Sequence, residues 1–161
     1  STRKESSAAS DVYKRQQLSE GMKKLLCNLI GINSSEKAYQ GGRAAGMNRL
    51  NAMKGTYNKK SESFESAHPV IRTHPDNGKK SIYINKSHTY KFKNMSEEES
   101  TPLIDYLCDY MVKSEFTCRF RWRPGSIAVW DNRTTLHNAI NDYQKKRRHM
   151  QRITLEGCEP R

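Results

Sequence analysis

A mainly β fold with a few helices, half of a two-sheet antiparallel barrel or jelly roll, is what this sequence predicts, and three observations predict it. Val70-Ile-Arg-Thr and Ser81-Ile-Tyr-Ile flank the turn-forming Pro75-Asp-Asn-Gly, so two strand-prone runs close into a hairpin. Further short runs follow at strand spacing, Phe116 to Trp122, Ser126 to Trp130 and His149 to Leu155, the first and last with period-two alternation. One strong helix, opened by Ser96-Glu-Glu-Glu, is interposed between hairpin and later strands.

Residues 6–16 read SSAASDVYKRQ, which resembles the in-frame translation of a transposase adapter used to prepare sequencing libraries. Residues 1–16 are therefore expected to be disordered and to add nothing to the fold, with authentic sequence starting near Gln17. Residues 17–161 are read as the C-terminal part of a single domain whose N-terminal part is missing. Met22, Leu25, Leu26, Leu29 and Ile30 recur at helical spacing, with Ser19 placed to cap the helix and Gly31 to stop it. From about 33 to 65 the text is polar and rich in Gly, Ser and Lys. It reads as a mobile insertion with one helical turn around Met47 to Met53. After residue 67 the hairpin begins. In the long helix Leu103, Leu107 and Tyr110, with Ile104 and Met111, form the apolar stripe, and three acidic residues favour its first turn. Tyr83, Phe116, Phe120 and Trp122 are expected in the core.

Composition bounds the rest. A chain of 161 residues suits one domain, and with 34% hydrophobic against 29% charged residues its core must come from a few concentrated segments. The formal charge of +12 is not due to the first sixteen residues, which carry only four cations against two anions. Such a balance is compatible with a nucleic-acid partner but does not specify one. Cys27, Cys108, Cys118 and Cys158 form no C-x-x-C pair, which disfavours a zinc ribbon and suggests reduced, mostly buried thiols. No apolar run approaches the roughly 18 residues that span a bilayer. No membrane partner is expected, the cytoplasm is the default compartment, and a homo-oligomer is compatible with the text.

The chemistry concentrates in the last 40 residues. There WRPGSIAVWDNRTTLHNAINDY, running from Trp122 to Tyr143, precedes Arg147-Arg-His-Met-Gln-Arg. With Ala67-His-Pro-Val-Ile-Arg-Thr-His-Pro, Tyr83-Ile-Asn-Lys-Ser-His-Thr and Phe116-Thr-Cys-Arg-Phe-Arg-Trp, these blocks are similar, in order and over about 95 residues, to the taurine dioxygenase family of Fe(II)/2-oxoglutarate-dependent dioxygenases. The resemblance implies a double-stranded β-helix (jelly roll), here partial. It implies Fe(II), 2-oxoglutarate and molecular oxygen as cofactor and cosubstrates, and a small anionic substrate, foremost a sulfonate such as taurine. The iron would sit on a 2-His-1-carboxylate face.

His137 matches the family's second ligating histidine. The other two ligands come from an upstream H-x-D or H-x-E. Of the remaining histidines, His68, His74, His88 and His149, only His74 heads such a triplet, and His74-Pro75-Asp76 falls where the family has a surface turn. Arg148, eleven residues after His137, matches the arginine that grips the distal carboxylate of 2-oxoglutarate, a task suited to a planar two-donor fork. Arg152 matches the arginine that reaches the substrate anion and the cosubstrate, and on a strand it would share a face with Arg148. His88 falls at a substrate-pocket position. Trp130, Asp131 and Asn132 match a turn beside the metal, with capping roles. With one of three ligands, the chain alone is expected to be inactive. The alternative reading is a basic nucleic-acid-binding module using Tyr90, Phe92, Phe116 and Phe120. It predicts arginines and aromatics over one exposed face, where the enzyme reading predicts His137, Arg148 and Arg152 converging in a barrel mouth.

Overall fold

The computed structural model describes residues 4–35, 64–139 and 149–161. Strand β1 (Lys4–Ser10) leads through α1 (Asp11–Gln16) and α2 (Glu20–Cys27) to β2 (Ile30–Ser34). After residue 63 come β3 (Glu65–Pro69), β4 (Ile71–Thr73), β5 (Lys80–Ile82), β6 (Thr89–Phe92), α3 (Glu97–Met111), a short 3-10 turn at Ser114–Phe116, β7 (Thr117–Trp122) and β8 (Thr135–Ala139). All described ladders are antiparallel. The strands form three sheets, ordered β7-β1-β8, β3-β2-β6 and β4-β5. Among the described residues no helix is long and apolar enough to cross a membrane.

Helix α3 forms where its caps and stripe agree. Ser96 accepts from the Glu99 backbone N–H while the Glu99 carboxylate accepts from the Ser96 N–H, a reciprocal capping box. Its inner face presents Ile104, Leu107, Cys108 and Met111, and Leu103 and Tyr110 flank it half-buried. These pack with Leu18, Leu26 of α2, and Val70, Ile71, Ile82, Ile84 and Phe92 of the strand region into one core. In α2 Ser19 caps as expected, accepting from Met22 N–H, but the helix ends at Asn28. Gly31 instead lies in β2, where a Cβ would come within 3.2 Å of the Thr89 methyl, so the glycine serves close strand packing.

The hairpin around Pro75-Asp-Asn-Gly forms with the register Ile71↔Ile82 and Thr73↔Lys80, and Gly78 takes the positive φ of 67° that the turn needs. The expected insertion is shorter at its edges, because Asn33 and Ser34 are paired in β2 and Glu65 in β3. Ser35 and Phe64 close that hairpin's end, Ser35 N–H donating to the Phe64 carbonyl at 3.0 Å and Phe64 N–H to Ser35 Oγ at 3.0 Å. The turn expected at Met47–Met53 lies outside the described residues.

The structure differs from the sequence reading in four further places. Residues 4–16 are not disordered: β1 stands between β7 and β8, with Ala8 opposite both Cys118 and His137. A ladder is built from backbone groups, so a run of small residues can fill such a slot whatever its sequence. In α1 Lys14 is buried and its carbonyl accepts from the Tyr110 hydroxyl at 3.1 Å. Deleting residues 1–16 is thus expected to lower the thermal midpoint by stripping both inner sheet edges. An unchanged midpoint would show that β1 is not formed in solution.

Ser126–Trp130 and His149–Leu155 are not strands. Among the described residues they find no ladder partner, and several of their apolar side chains stand outward, Val129 93% and Ile153 90% exposed. The aromatic residues assigned to the core are only partly inside. Tyr83 and Phe116 are half-buried, and Phe120 is exposed with Trp122 edge-on at 4.9 Å. Finally, the cysteines are all free but only Cys108 is buried, and burial raises its thiol to about 11. Cys27, Cys118 and Cys158 are exposed.

Candidate functional site

The turn at the tip of the β4–β5 hairpin sets His74. Its N–H donates to the Lys79 carbonyl and its carbonyl accepts from Gly78 N–H, both at 2.9 Å, which aims the imidazole inward. His74 is only 6% exposed, so this turn is not a surface feature at its histidine, although Pro75, Asp76 and Asn77 are exposed. Nδ1 accepts from the Asp76 N–H at 3.2 Å, and Nε2 lies 2.8 Å from Asp131 Oδ2. An imidazole that accepts at one nitrogen and faces a carboxylate with the other is the Nε2–H tautomer, assigned here from its partners. Both nitrogens are thereby engaged, and His74-Pro75-Asp76 does not present a metal-ligand pair.

Asp131 belongs to a second turn, the Trp-Asp-Asn-Arg segment that leads into β8. Its Oδ1 accepts from the Arg133 N–H at 2.8 Å, an Asx-type turn in which a short acidic side chain closes the backbone two residues on. The Arg133 guanidinium grips the same carboxylate at 2.9 and 3.1 Å and reaches Asp76 at 2.9 Å. The Arg133 bond, aided by His74 and opposed by burial, holds the Asp131 carboxyl well below the usual carboxylate range. The reciprocal effect raises Arg133. Beside it, Trp130 donates its indole N–H to Asn132 Oδ1 at 2.8 Å and stacks on the His137 imidazole, 4.5 Å between centroids at 26°.

His137 is on β8, exposed and stacked on the Trp130 indole, opposite Ala8 of β1. Arg148 lies outside the described residues. Arg152 is exposed in the irregular segment 149–161 rather than on a strand. His88 is half-buried in the turn before β6, where its carbonyl accepts from the Ser34 N–H at 2.9 Å. Among the described residues no three His, Cys, Asp or Glu side chains gather as a metal-holding group. One imidazole is not a ferrous-iron face, so these residues alone do not fit the metal.

Sequence reasoning missed the four-residue network of His74, Asp76, Asp131 and Arg133. Two short acidic triplets, H-P-D and D-N-R, were the available signal, but nothing in their spacing brings them together. It also missed Arg72, which is 5% exposed, lies over the Tyr83 ring at 5.1 Å and donates to the Cys158 carbonyl at 3.3 Å. That cation has a measurable neighbour. His68, edge-on to Tyr83, is disfavoured as imidazolium first by burial and then by Arg72, with Glu159 opposing. Its folded pKa thus lies below the unfolded value of about 6.5. The unfolded chain then binds more protons, so the stabilisation is complete above that value and declines as pH falls below it. Denaturant midpoints at about pH 7.5 and 5.5 should therefore differ less in His68→Gln than in the parent chain, and equal differences would remove His68 from the account.

Comparison with known proteins gives these turns a family. The sequence profile described as taurine catabolism dioxygenase TauD, TfdA family matches residues 7–154. An alkylsulfatase of Acinetobacter baylyi is 33% identical over 144 residues, covering 88% of this chain and 44% of that protein. An alpha-ketoglutarate-dependent sulfate ester dioxygenase of Pseudomonas putida is 33% identical over 149 residues, covering 90% and 48%. An alpha-ketoglutarate-dependent sulfonate dioxygenase of Saccharomyces cerevisiae is 30% identical over 147 residues, covering 89% and 33%. This chain thus spans a third to a half of the length of these relatives. In fold it is similar to a taurine dioxygenase from Burkholderia xenovorans (TM-score 0.67, 24% identity, 87% of this chain and 42% of that one). It is likewise similar to AAD-2 in complex with Mn(II) and N-oxalylglycine (TM-score 0.68, 23% identity, 90% and 53%). The strands and turns described above are therefore part of a jelly roll of that type, and the chain belongs to the taurine catabolism dioxygenase TauD/TfdA family.

Proposed function

We propose that the full-length protein is a 2-oxoglutarate-dependent dioxygenase that hydroxylates a small organic sulfonate or sulfate ester, releasing succinate and carbon dioxide. The observation that carries this reading is the family match across residues 7–154, which includes the Trp-Asp-Asn-Arg turn that delivers His137 to β8. In this reading His137 is one ligand of Fe(II), which supplies the oxygen chemistry when bound. The remaining ligands belong to a part of the full-length protein outside these 161 residues. Arg148 holds 2-oxoglutarate by paired donors, Arg152 meets the anionic head of the substrate and the cosubstrate, and His88 lines the substrate pocket. The protein acts in the cytoplasm on a small molecule rather than on nucleic acid. Taurine leads among the substrates, and the relatives widen the choice to sulfate esters.

The test is to recover the gene upstream of Gln17, express the whole protein with iron, ascorbate and 2-oxoglutarate, and measure succinate with taurine, a medium-chain alkyl sulfate or neither. Succinate formation stimulated by one of the two anions and lost in His137→Ala is the expected result. An upstream region with no H-x-D or H-x-E, or no stimulated succinate, would overturn the reading.

A further inference from the structure

We propose that Cys158 is an oxidative modification site, at which hydrogen peroxide converts the thiol to a sulfinate that the buried Arg72 guanidinium holds as its counter-ion. The inference stands apart from the dioxygenase reading, since it uses described residues alone and neither metal nor cosubstrate.

Arg72 lies on β4 and is 5% exposed, yet among the described residues it forms no ion pair. Neutral groups alone meet its guanidinium. The Tyr83 ring covers it at 5.1 Å, and Nη2 donates to the Cys158 carbonyl at 3.3 Å and more weakly to the Cys158 sulfur at 3.9 Å. Nε is buried without a hydrogen-bond partner. Ser81, directly opposite in the β4–β5 ladder, does not supply one, its own Oγ being buried and unbonded. A cation taken out of water without an anion is unfavourable, and its field acts on its neighbours. His68 registers that field: after burial, Arg72 is the next cause that disfavours its imidazolium.

The exposed Cys158 sulfur is where an anion can be made beside this cation without moving the chain. The thiol sulfur attacks one peroxide oxygen, the O–O bond breaks and water leaves, giving the sulfenic acid. A second peroxide oxidises that to the sulfinic acid, which releases its proton to solvent. Each step takes two electrons from sulfur and reduces one peroxide to water. An oxygen inserted between Sγ and Nη2 turns a weak sulfur contact into a charge-assisted hydrogen bond. The segment is already tethered at two points, by the Cys158 carbonyl on Arg72 and by the Arg161 carbonyl, which accepts from the Thr73 N–H at 2.6 Å. Cys27 is the internal control. A guanidinium reaches its sulfur at 3.9 Å too, but that of Arg15 is only half-buried and already acts on the Glu20 carboxylate.

The experiment uses the whole 161-residue chain. After mild hydrogen peroxide, quenching and peptide mass mapping, the two-oxygen product should be severalfold more abundant at Cys158 than at the equally exposed Cys27 and Cys118. Cys158→Asp, which places a fixed carboxylate there, should raise the thermal midpoint by about 2–4 °C over the neutral Cys158→Asn. Peroxide should shift the parent chain in the same direction and leave Cys158→Ala unmoved. Arg72→Met should abolish the Asp–Asn difference, and a folded Arg72→Met chain that retains it overturns the proposal. If Arg72→Met does not fold, the Asp–Asn comparison decides alone, since it leaves Arg72 in place. Equal oxidation of the three exposed cysteines, or an Asp variant no more stable than the Asn variant, likewise overturns the site.

Discussion

Phe92→Ala is expected to cost about 3–5 kcal/mol, the range for removing a fully buried aromatic ring and leaving its cavity. Phe92 is 0% exposed and ends β6 opposite Gly31, so its ring lies where a β2 glycine lets the sheet close up. Its N–H donates to the buried Ser100 Oγ at 3.0 Å, and Ser100 in turn donates to the Ser96 carbonyl at 2.7 Å. The ring therefore sits at the joint between β6 and the first turn of α3, with Leu107 and Met111 of the same helix in the same core. Domains of this size have only about 5–15 kcal/mol to lose. Urea unfolding should show a large fall in midpoint with the slope retained. A drop under about 1 kcal/mol, the level of surface substitutions, would mean that this joint is not part of the cooperative core.

That joint shows what was legible in the sequence and why. The helix was, because Ser96, Glu99 and the stripe from Ile104 to Met111 act over three or four residues, the range at which sequence spacing is geometry. The hairpin was, because Pro75-Asp-Asn-Gly can do little but turn. Pairings between distant segments were not. Gly31 read as a helix stop because its true constraint, the Thr89 methyl, is 58 residues away. Ser126–Trp130 reads as a short apolar strand and His149–Leu155 as an alternating one, but neither has a described partner, and side-chain pattern by itself satisfies no backbone group.

The candidate site divides in the same way. His137 and the arginines could be singled out only through a motif, since an isolated exposed histidine or a basic run is more simply a solvated surface. His74 and Asp131 needed the structure. Each looked like an ordinary turn residue, and only the 2.8 Å contact between them shows that one buried side chain is the partner of the other.

If the full-length protein is the proposed dioxygenase, Arg148→Lys is expected to lower its 2-oxoglutarate affinity roughly tenfold to a hundredfold. Arg148 lies outside the described residues, eleven positions after His137, where the proposed reading puts the arginine that holds the cosubstrate. Lysine keeps the positive charge but replaces a planar two-donor fork with a point charge, so one charge-assisted bond to the distal carboxylate is lost. Such a bond contributes on the order of 1.5–3 kcal/mol, which sets the range through about 1.4 kcal/mol per factor of ten. Arg152→Lys, by contrast, should weaken the binding of the sulfonate or sulfate ester more than that of 2-oxoglutarate. Titrating cosubstrate and substrate separately against each variant separates the two roles. An intact 2-oxoglutarate affinity in Arg148→Lys, with a lost one in Arg152→Lys, would exchange the assignments. If neither substitution mattered, the arginines would be a solvated basic segment, and the anion would have to be held by residues on the other side of the site.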